Sequence, residues 1–107
     1  MILLAPEALE DLERIFEFET AHDETLAHDH LATIREAIMI LDRHPLIGRP
    51  ARPSATLREL VISQGRSGYV ALYEYSPGEN LVRVVAIRSL RAASLRPAQS
   101  SWQPLHV

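Results

Sequence analysis

The sequence predicts a single-domain α+β fold, in which an N-terminal strand and an antiparallel helical hairpin pack on a three-stranded antiparallel meander. Apolar residues recur at steps of three and four in residues 6–43 and become near-continuous, strand-like runs after residue 56. A loop rich in proline separates the two patterns. The chain has 107 residues, of which 47% are hydrophobic and 23% charged, a composition that favours one compact core.

The first half supplies one strand and two helices. Residues 2–4 form a short apolar run that is typical of an edge strand. Pro6 suits the first turn of a helix predicted over residues 6–21, because its missing N–H is not needed there. A second helix is predicted over residues 25–43, where Pro45 prevents its continuation. The short link at residues 22–24 predicts that the two helices pack as an antiparallel hairpin.

The second half supplies the sheet. Pro45, Gly48, Pro50 and Pro53 predict an irregular loop over residues 44–56. Residues 57–62, 69–75 and 81–88 have the composition and length of strands. Turn-forming residues between them predict a meander. We expect residues 1–95 to form the domain and residues 96–107 to form an irregular tail.

Charge is distributed unevenly along the chain. Residues 1–42 hold eleven acidic residues and two arginines, whereas residues 43–107 hold nine arginines and three acidic residues. The net charge of −3 therefore hides an acidic half and a basic half. A basic face attracts phosphates or acidic protein segments. The uneven charge therefore indicates which kinds of partner the chain can bind.

Several classes of protein are disfavoured. The chain has no cysteine, which excludes disulfides and thiolate zinc sites. The apolar start is too short for a signal peptide or a membrane span, so we expect a cytoplasmic protein without membrane contact. His28 and His30 point away from each other on a helix, so we predict no metal site, and we expect no cofactor.

Four stretches carry a resemblance to a known family. They are residues 5–12, 41–50, 58–73 and 85–88. In this order and spacing they resemble the RelE/ParE superfamily of toxins from bacterial type II toxin–antitoxin systems. The resemblance covers residues 1–95 and implies a small toxin silenced by an antitoxin.

The superfamily divides by mechanism. RelE-like members cleave mRNA on the ribosome, and resemblance to them implies a cation after the Gly-Tyr of the middle strand, lysines on the preceding strand, and an arginine and a tyrosine in the tail. Here Val70 follows the Gly-Tyr of the middle strand, and Val61 and Ser63 lie on the preceding strand. Ser89 and Leu95 fall where the tail arginine and tyrosine would align. RNA cleavage needs cations and a proton-transfer group, so we predict no catalytic residues. The sequence therefore favours the ParE-like branch, which inhibits DNA gyrase by binding.

The resemblance also implies the partners. We expect a ParD-like antitoxin with a ribbon-helix-helix segment, forming a hetero-oligomer with the toxin. In the family, the C-terminal segment of the antitoxin lies across an apolar groove of the toxin. The candidate groove residues are Leu9, Leu12, Phe16, Leu60, Ile62, Leu72 and Val84. The sequence leaves open which of the strand residues belong to the core instead.

Arginines at strand ends or in the tail are the candidates for target binding. They are Arg66, Arg88 and Arg91, and the alternative is that they are solvated surface charges. The sequence pI of about 5.9 disfavours nucleic-acid binding by the chain alone. Arg83 shares strand parity with Val85 and Ile87 and is expected to pair with an acid across the sheet. Tyr69, Tyr73 and Tyr75 are interpreted as structural packing.

Two other functions compete with gyrase inhibition. One is a ribosome-dependent mRNA endoribonuclease that uses an unusual set such as Arg66, Arg88 and Arg91. The other is a degenerate, non-toxic relative that is retained as a binding module.

Overall fold

One mixed five-stranded sheet carries the two helices on one face. The computed structural model describes residues 1–51, 56–64 and 67–90. Its elements are β1 (Ile2–Leu4), α1 (Pro6–Thr20), α2 (Glu24–Ile40), β2 (Arg49–Pro50), β3 (Leu57–Gln64), β4 (Ser67–Ser76) and β5 (Leu81–Ser89). The strand order is β1-β5-β4-β3-β2. The predicted α+β fold is confirmed.

The helical hairpin forms as its sequence predicts. Pro6 opens α1, and the Asp23 side chain caps α2 by accepting a hydrogen bond from the Leu26 N–H at 3.1 Å. Both helices end slightly earlier than predicted, at Thr20 and Ile40. A short turn follows α2, where the Arg43 N–H bonds to the Ile40 carbonyl.

The meander forms the centre of the sheet, and β1 lies at one edge beside β5. β3 pairs with β4 and β4 with β5, both antiparallel, as predicted. β1 pairs with β5 in parallel, so the first and last strands lie side by side. The Ala5 N–H extends this contact by bonding to the Val84 carbonyl at 2.9 Å. Only the tertiary fold reveals this pairing.

The loop predicted over residues 44–56 contains one more strand, which corrects that prediction. Arg49 pairs with Glu59 and Pro50 with Arg58. Proline is compatible with this position because β2 is an edge strand, where its missing N–H costs no ladder hydrogen bond.

A β-bulge changes which residues of β5 face the helices. The register shifts between Leu72 and Tyr73, whose partners are Ala86 and Val84, so Val85 is the extra residue. Ile87 therefore packs in the cluster on the helical side, while Val85 packs against the cluster on the other face. The sequence predicts that Arg83, Val85 and Ile87 share one face of β5. This prediction is wrong for Ile87, because the bulge moves its side chain to the other face.

The core lies between the sheet and the helical hairpin. Its largest fully buried side chains include Tyr69, Tyr73, Ile34 and Leu41. A second, smaller cluster on the opposite face comprises Ala51, Leu57, Val70 and Leu72. In the described ranges, no helix is long and apolar enough to cross a membrane.

Candidate functional site

An open apolar groove of about 910 Å³ lies where β1 and α1 meet α2. Its apolar lining includes Ile2, Leu4, Leu12, Leu31, Ile34, Ile38 and Met39. Polar side chains also line it, namely His28, Arg35, Asp42 and Arg43. The arrangement suits an amphipathic peptide segment, because apolar side chains can be buried while polar groups meet charges.

The predicted groove residues are divided among several environments. Leu12 lines the groove, Leu9 is exposed on α1, and Phe16 is half-buried. Leu60 packs against the main core. Ile62 and Val84 are buried in that core, and Leu72 is buried on the opposite face of the sheet.

Three of the candidates are buried within the chain, which favours the core alternative that the sequence left open for the strand residues. Ile62, Leu72 and Val84 are core residues of the isolated chain, since each side chain is already covered by its own neighbours. Alternation along a strand cannot reveal this, because it identifies an apolar face without identifying what covers it. Ile2, Leu4 and Leu31 also line the groove but were not among its predicted residues, because the sequence indicated only an edge strand at residues 2–4 and a helix around Leu31.

Of the candidate target-binding arginines, Arg88 is the one inside the described residues. Arg66 and Arg91 lie outside them. The Arg88 side chain is 19% exposed, and its Nη1 lies 3.7 Å from Oδ1 of Asp11. Arg88 is therefore held against α1 rather than fully solvated.

Asp11 connects α1 to the edge of β5. One carboxylate oxygen accepts the Ile87 N–H at 2.9 Å, and the other pairs with Arg14. β1 ends at Leu4, which pairs with Val84 of β5. The Asp11 carboxylate therefore accepts the Ile87 N–H that a longer neighbouring strand would otherwise bind. Asp11 lies on the apolar stripe of α1 with Ala8 and Ile15, and a carboxylate on such a stripe is a sequence signal that could have identified it.

The predicted tyrosine row is structural at its two buried positions. Tyr69 and Tyr73 are fully buried, while Tyr75 packs at the margin of the core. The Tyr69 hydroxyl donates to Glu19, whose other oxygen lies 2.5 Å from Nδ1 of His30. This network links β4, α1 and α2 inside the core.

The other polar predictions can now be placed. Nη2 of Arg83 lies 3.5 Å from Oε1 of Glu74 across the sheet, which confirms the predicted pair. His28 is exposed while His30 is buried, so the two side chains occupy different environments. Across residues 1–51, 56–64 and 67–90, no group of three or more histidine and acidic side chains is placed to hold a metal ion.

Comparison with known proteins identifies the family. Residues 2–92 match the family described as the ParE toxin of the type II toxin–antitoxin system, parDE. The chain belongs to the ParE toxin family. This confirms the superfamily resemblance of the four sequence stretches and the ParE-like branch favoured by the missing ribonuclease residues.

Solved structures support the fold independently. A chain from the chromosomal ParDE toxin–antitoxin system of P. aeruginosa superposes with a TM-score of 0.68 at 18% identity. The match covers 80% of this chain and 90% of that chain. No curated protein matches significantly. Membership of the ParE family thus rests on the family match, and the structural likeness shows that the fold is shared.

Proposed function

We propose that the chain is a ParE-like toxin that inhibits DNA gyrase by binding it, and that a cognate antitoxin neutralises it. The choice of the ParE-like branch rests on Val70. It occupies the position that resemblance to the ribonucleases would fill with a cation, and it is 6% exposed within an apolar cluster. A charged side chain at this position would require desolvation, which opposes a catalytic role there.

The buried polar network does not supply a substitute for the missing cation. His30, Glu19 and Tyr69 bond to one another in the interior, where their side chains have at most 13% exposure. A general acid or base must come within hydrogen-bonding distance of its substrate, and these groups are enclosed. Inhibition by binding is therefore the better-supported mechanism.

The test compares two activities of the purified chain. Supercoiling of relaxed plasmid by gyrase should be inhibited, while primer extension on mRNA from a translating extract should show no new transcript ends. Preincubation with the antitoxin should restore supercoiling. Cleaved transcripts that disappear with Arg88→Ala, together with unaffected gyrase, would favour the endoribonuclease instead. Normal growth on induction without antitoxin would favour a non-toxic binding module.

We propose that the antitoxin segment occupies the groove between β1, α1 and α2. Family membership provides the reason to expect an antitoxin, and the groove has an apolar lining with Arg35 and Arg43 among its polar groups. An amphipathic segment with acidic residues complements this chemistry. We expect the antitoxin to be ParD-like, with a ribbon-helix-helix segment, and to be encoded beside this chain.

Met39 provides a specific test of the groove. It lines the groove and is 62% exposed, so Met39→Lys should weaken antitoxin binding without unfolding the chain. Phe18→Lys is the matched control, because Phe18 is 59% exposed and lies outside the groove lining. Calorimetric titration of both variants measures the difference. Equal affinities for the two variants would exclude the groove as the docking site.

A further inference from the structure

Two arginines share one carboxylate where α1 meets the end of β5. Oδ1 of Asp11 pairs with Arg14 and lies 3.7 Å from Nη1 of Arg88. Oδ2 is occupied by the Ile87 N–H at 2.9 Å. Both carboxylate oxygens are thus engaged, and two positive charges face one negative charge. The cluster carries a net charge of +1.

Arg88 is the under-satisfied member of this cluster. Its Nε is buried and has no hydrogen-bond partner among the described residues, and 3.7 Å exceeds the length of a hydrogen bond to Asp11. Burial lowers the pKa of Arg88, Asp11 opposes that shift, and Arg14 adds to it. A desolvated guanidinium with unused N–H donors is stabilised by any anionic oxygen that reaches it.

Arg14 makes the cluster accessible from solvent. Its side chain is 63% exposed, whereas that of Arg88 is 19% exposed. Because both guanidinium groups approach the same oxygen of Asp11, they lie close enough for one small anion to contact both. Asp11 is the positioning residue, since it holds both cations near the end of β5.

We propose that Arg14 and Arg88 form a binding site for a single carboxylate carried by a protein partner. The planar guanidinium group binds a carboxylate through two parallel hydrogen bonds, which supplies geometric specificity as well as charge. This inference rests on the proposed function in one respect, namely that the chain acts by binding other proteins. It does not require that gyrase be the partner.

The surroundings favour a carboxylate over a nucleic acid. Glu7, Glu10 and Glu13 are exposed on α1 within one helical turn of Asp11 or Arg14. A polyanion laid across this surface would bring many phosphates near these carboxylates and be repelled. One isolated carboxylate can approach the two guanidinium groups with much less repulsion.

The experiment follows the Nε–Hε signals of the arginines in the full chain by NMR. The probes are a capped alanine peptide with one glutamate, its glutamine counterpart, inorganic phosphate and a short DNA duplex. The glutamate peptide should shift the Arg14 and Arg88 signals saturably, and the glutamine peptide should not. Arg14→Gln should weaken glutamate-peptide binding by at least about tenfold, since one charge-assisted contact is lost.

Two further variants separate binding from folding. Arg83→Gln removes a half-exposed arginine of β5 that lies outside both the groove lining and this cluster, and it should leave the peptide affinity unchanged. Arg88→Lys keeps the positive charge but loses the planar donor pair, so it should weaken binding in a folded chain. Equal affinity of the two peptides, or no effect of Arg14→Gln, would overturn the proposal. Tighter binding of phosphate or the duplex would overturn it in favour of a phosphate site.

The same preparations distinguish this inference from the proposed target. If the glutamate peptide binds as expected but gyrase supercoiling is unaffected, the target assignment fails and the carboxylate site stands. If supercoiling is inhibited but the peptide does not bind, the carboxylate site fails and the target assignment stands.

Discussion

The backbone N–H of Gly48 donates a hydrogen bond to the Tyr73 hydroxyl at 2.9 Å, inside the protein. This contact fastens the loop between α2 and β2 to the central strand β4. The approach is close, because a Cβ on Gly48 would lie 2.6 Å from both the Tyr73 hydroxyl and the Glu59 carbonyl oxygen. The position therefore requires glycine for space.

Gly48→Ala should destabilise the fold. The added methyl group would displace the Tyr73 hydroxyl or the β3 backbone, and overpacking of this kind costs about 1–3 kcal/mol. Denaturant unfolding measures the loss. Gly78→Ala is the control, because a Cβ there meets no atom of the described residues within 4 Å, and its stability should be unchanged or slightly higher. Similar losses for both variants would contradict the role of the Gly48 contact.

Tyr73 should make stability fall at alkaline pH. Burial raises the pKa of Tyr73 above its ordinary value of 10.0, while the Gly48 N–H and Arg58 lower it by less. The folded chain then holds the phenolic proton more tightly than the unfolded chain does. Its contribution is fully present below pH 10 and is lost as the pH rises through the folded pKa.

The measurement is the free energy of unfolding as a function of pH above 9. Tyr73→Phe should reduce the alkaline slope, and it should lower stability at neutral pH by about 1–3 kcal/mol because the buried Gly48 N–H loses its acceptor. Tyr75→Phe, on the same strand, should retain the slope. An unchanged slope in Tyr73→Phe would assign the alkaline loss to other groups.

Asp11→Ala should loosen α1 from β5. It leaves the Ile87 N–H without its acceptor and removes the negative charge beside Arg88, and a lost hydrogen bond to a charged group costs about 1.5–3 kcal/mol. Hydrogen exchange at the Ile87 amide should accelerate. Glu10→Ala, an exposed neighbour on α1, should change stability by less than about 0.5 kcal/mol. Unaltered protection of Ile87 would show that Asp11 does not hold this edge.

Glu19 and His30 should be energetically coupled. Their side chains are 13% and 7% exposed and lie 2.5 Å apart, so a double-mutant cycle with alanine should give a coupling of about 0.5–3 kcal/mol. The pair Arg83–Glu74 is the reference, with exposures of 50% and 39%, and should give about 0–1 kcal/mol. Additive losses for Glu19 and His30 would contradict the network.

Local sequence patterns predict both helices and four of the five strands, with β2 as the exception. Pro6, Pro45 and the change of apolar period mark the helices and strands, because proline and periodicity act locally on the backbone. The four sequence stretches indicated the superfamily and the missing ribonuclease residues indicated the ParE-like branch, which the family match over residues 2–92 confirms.

Only the tertiary structure shows which side chains remain exposed for binding and which are buried. It placed β1 beside β5, moved Ile87 to the helical side through the bulge, and enclosed Ile62, Leu72 and Val84. It also brought Asp11 and Arg14 of α1 to Arg88 of β5. Local patterns cannot reveal these relationships, because each depends on contacts between residues far apart in the chain, where register and packing decide the outcome.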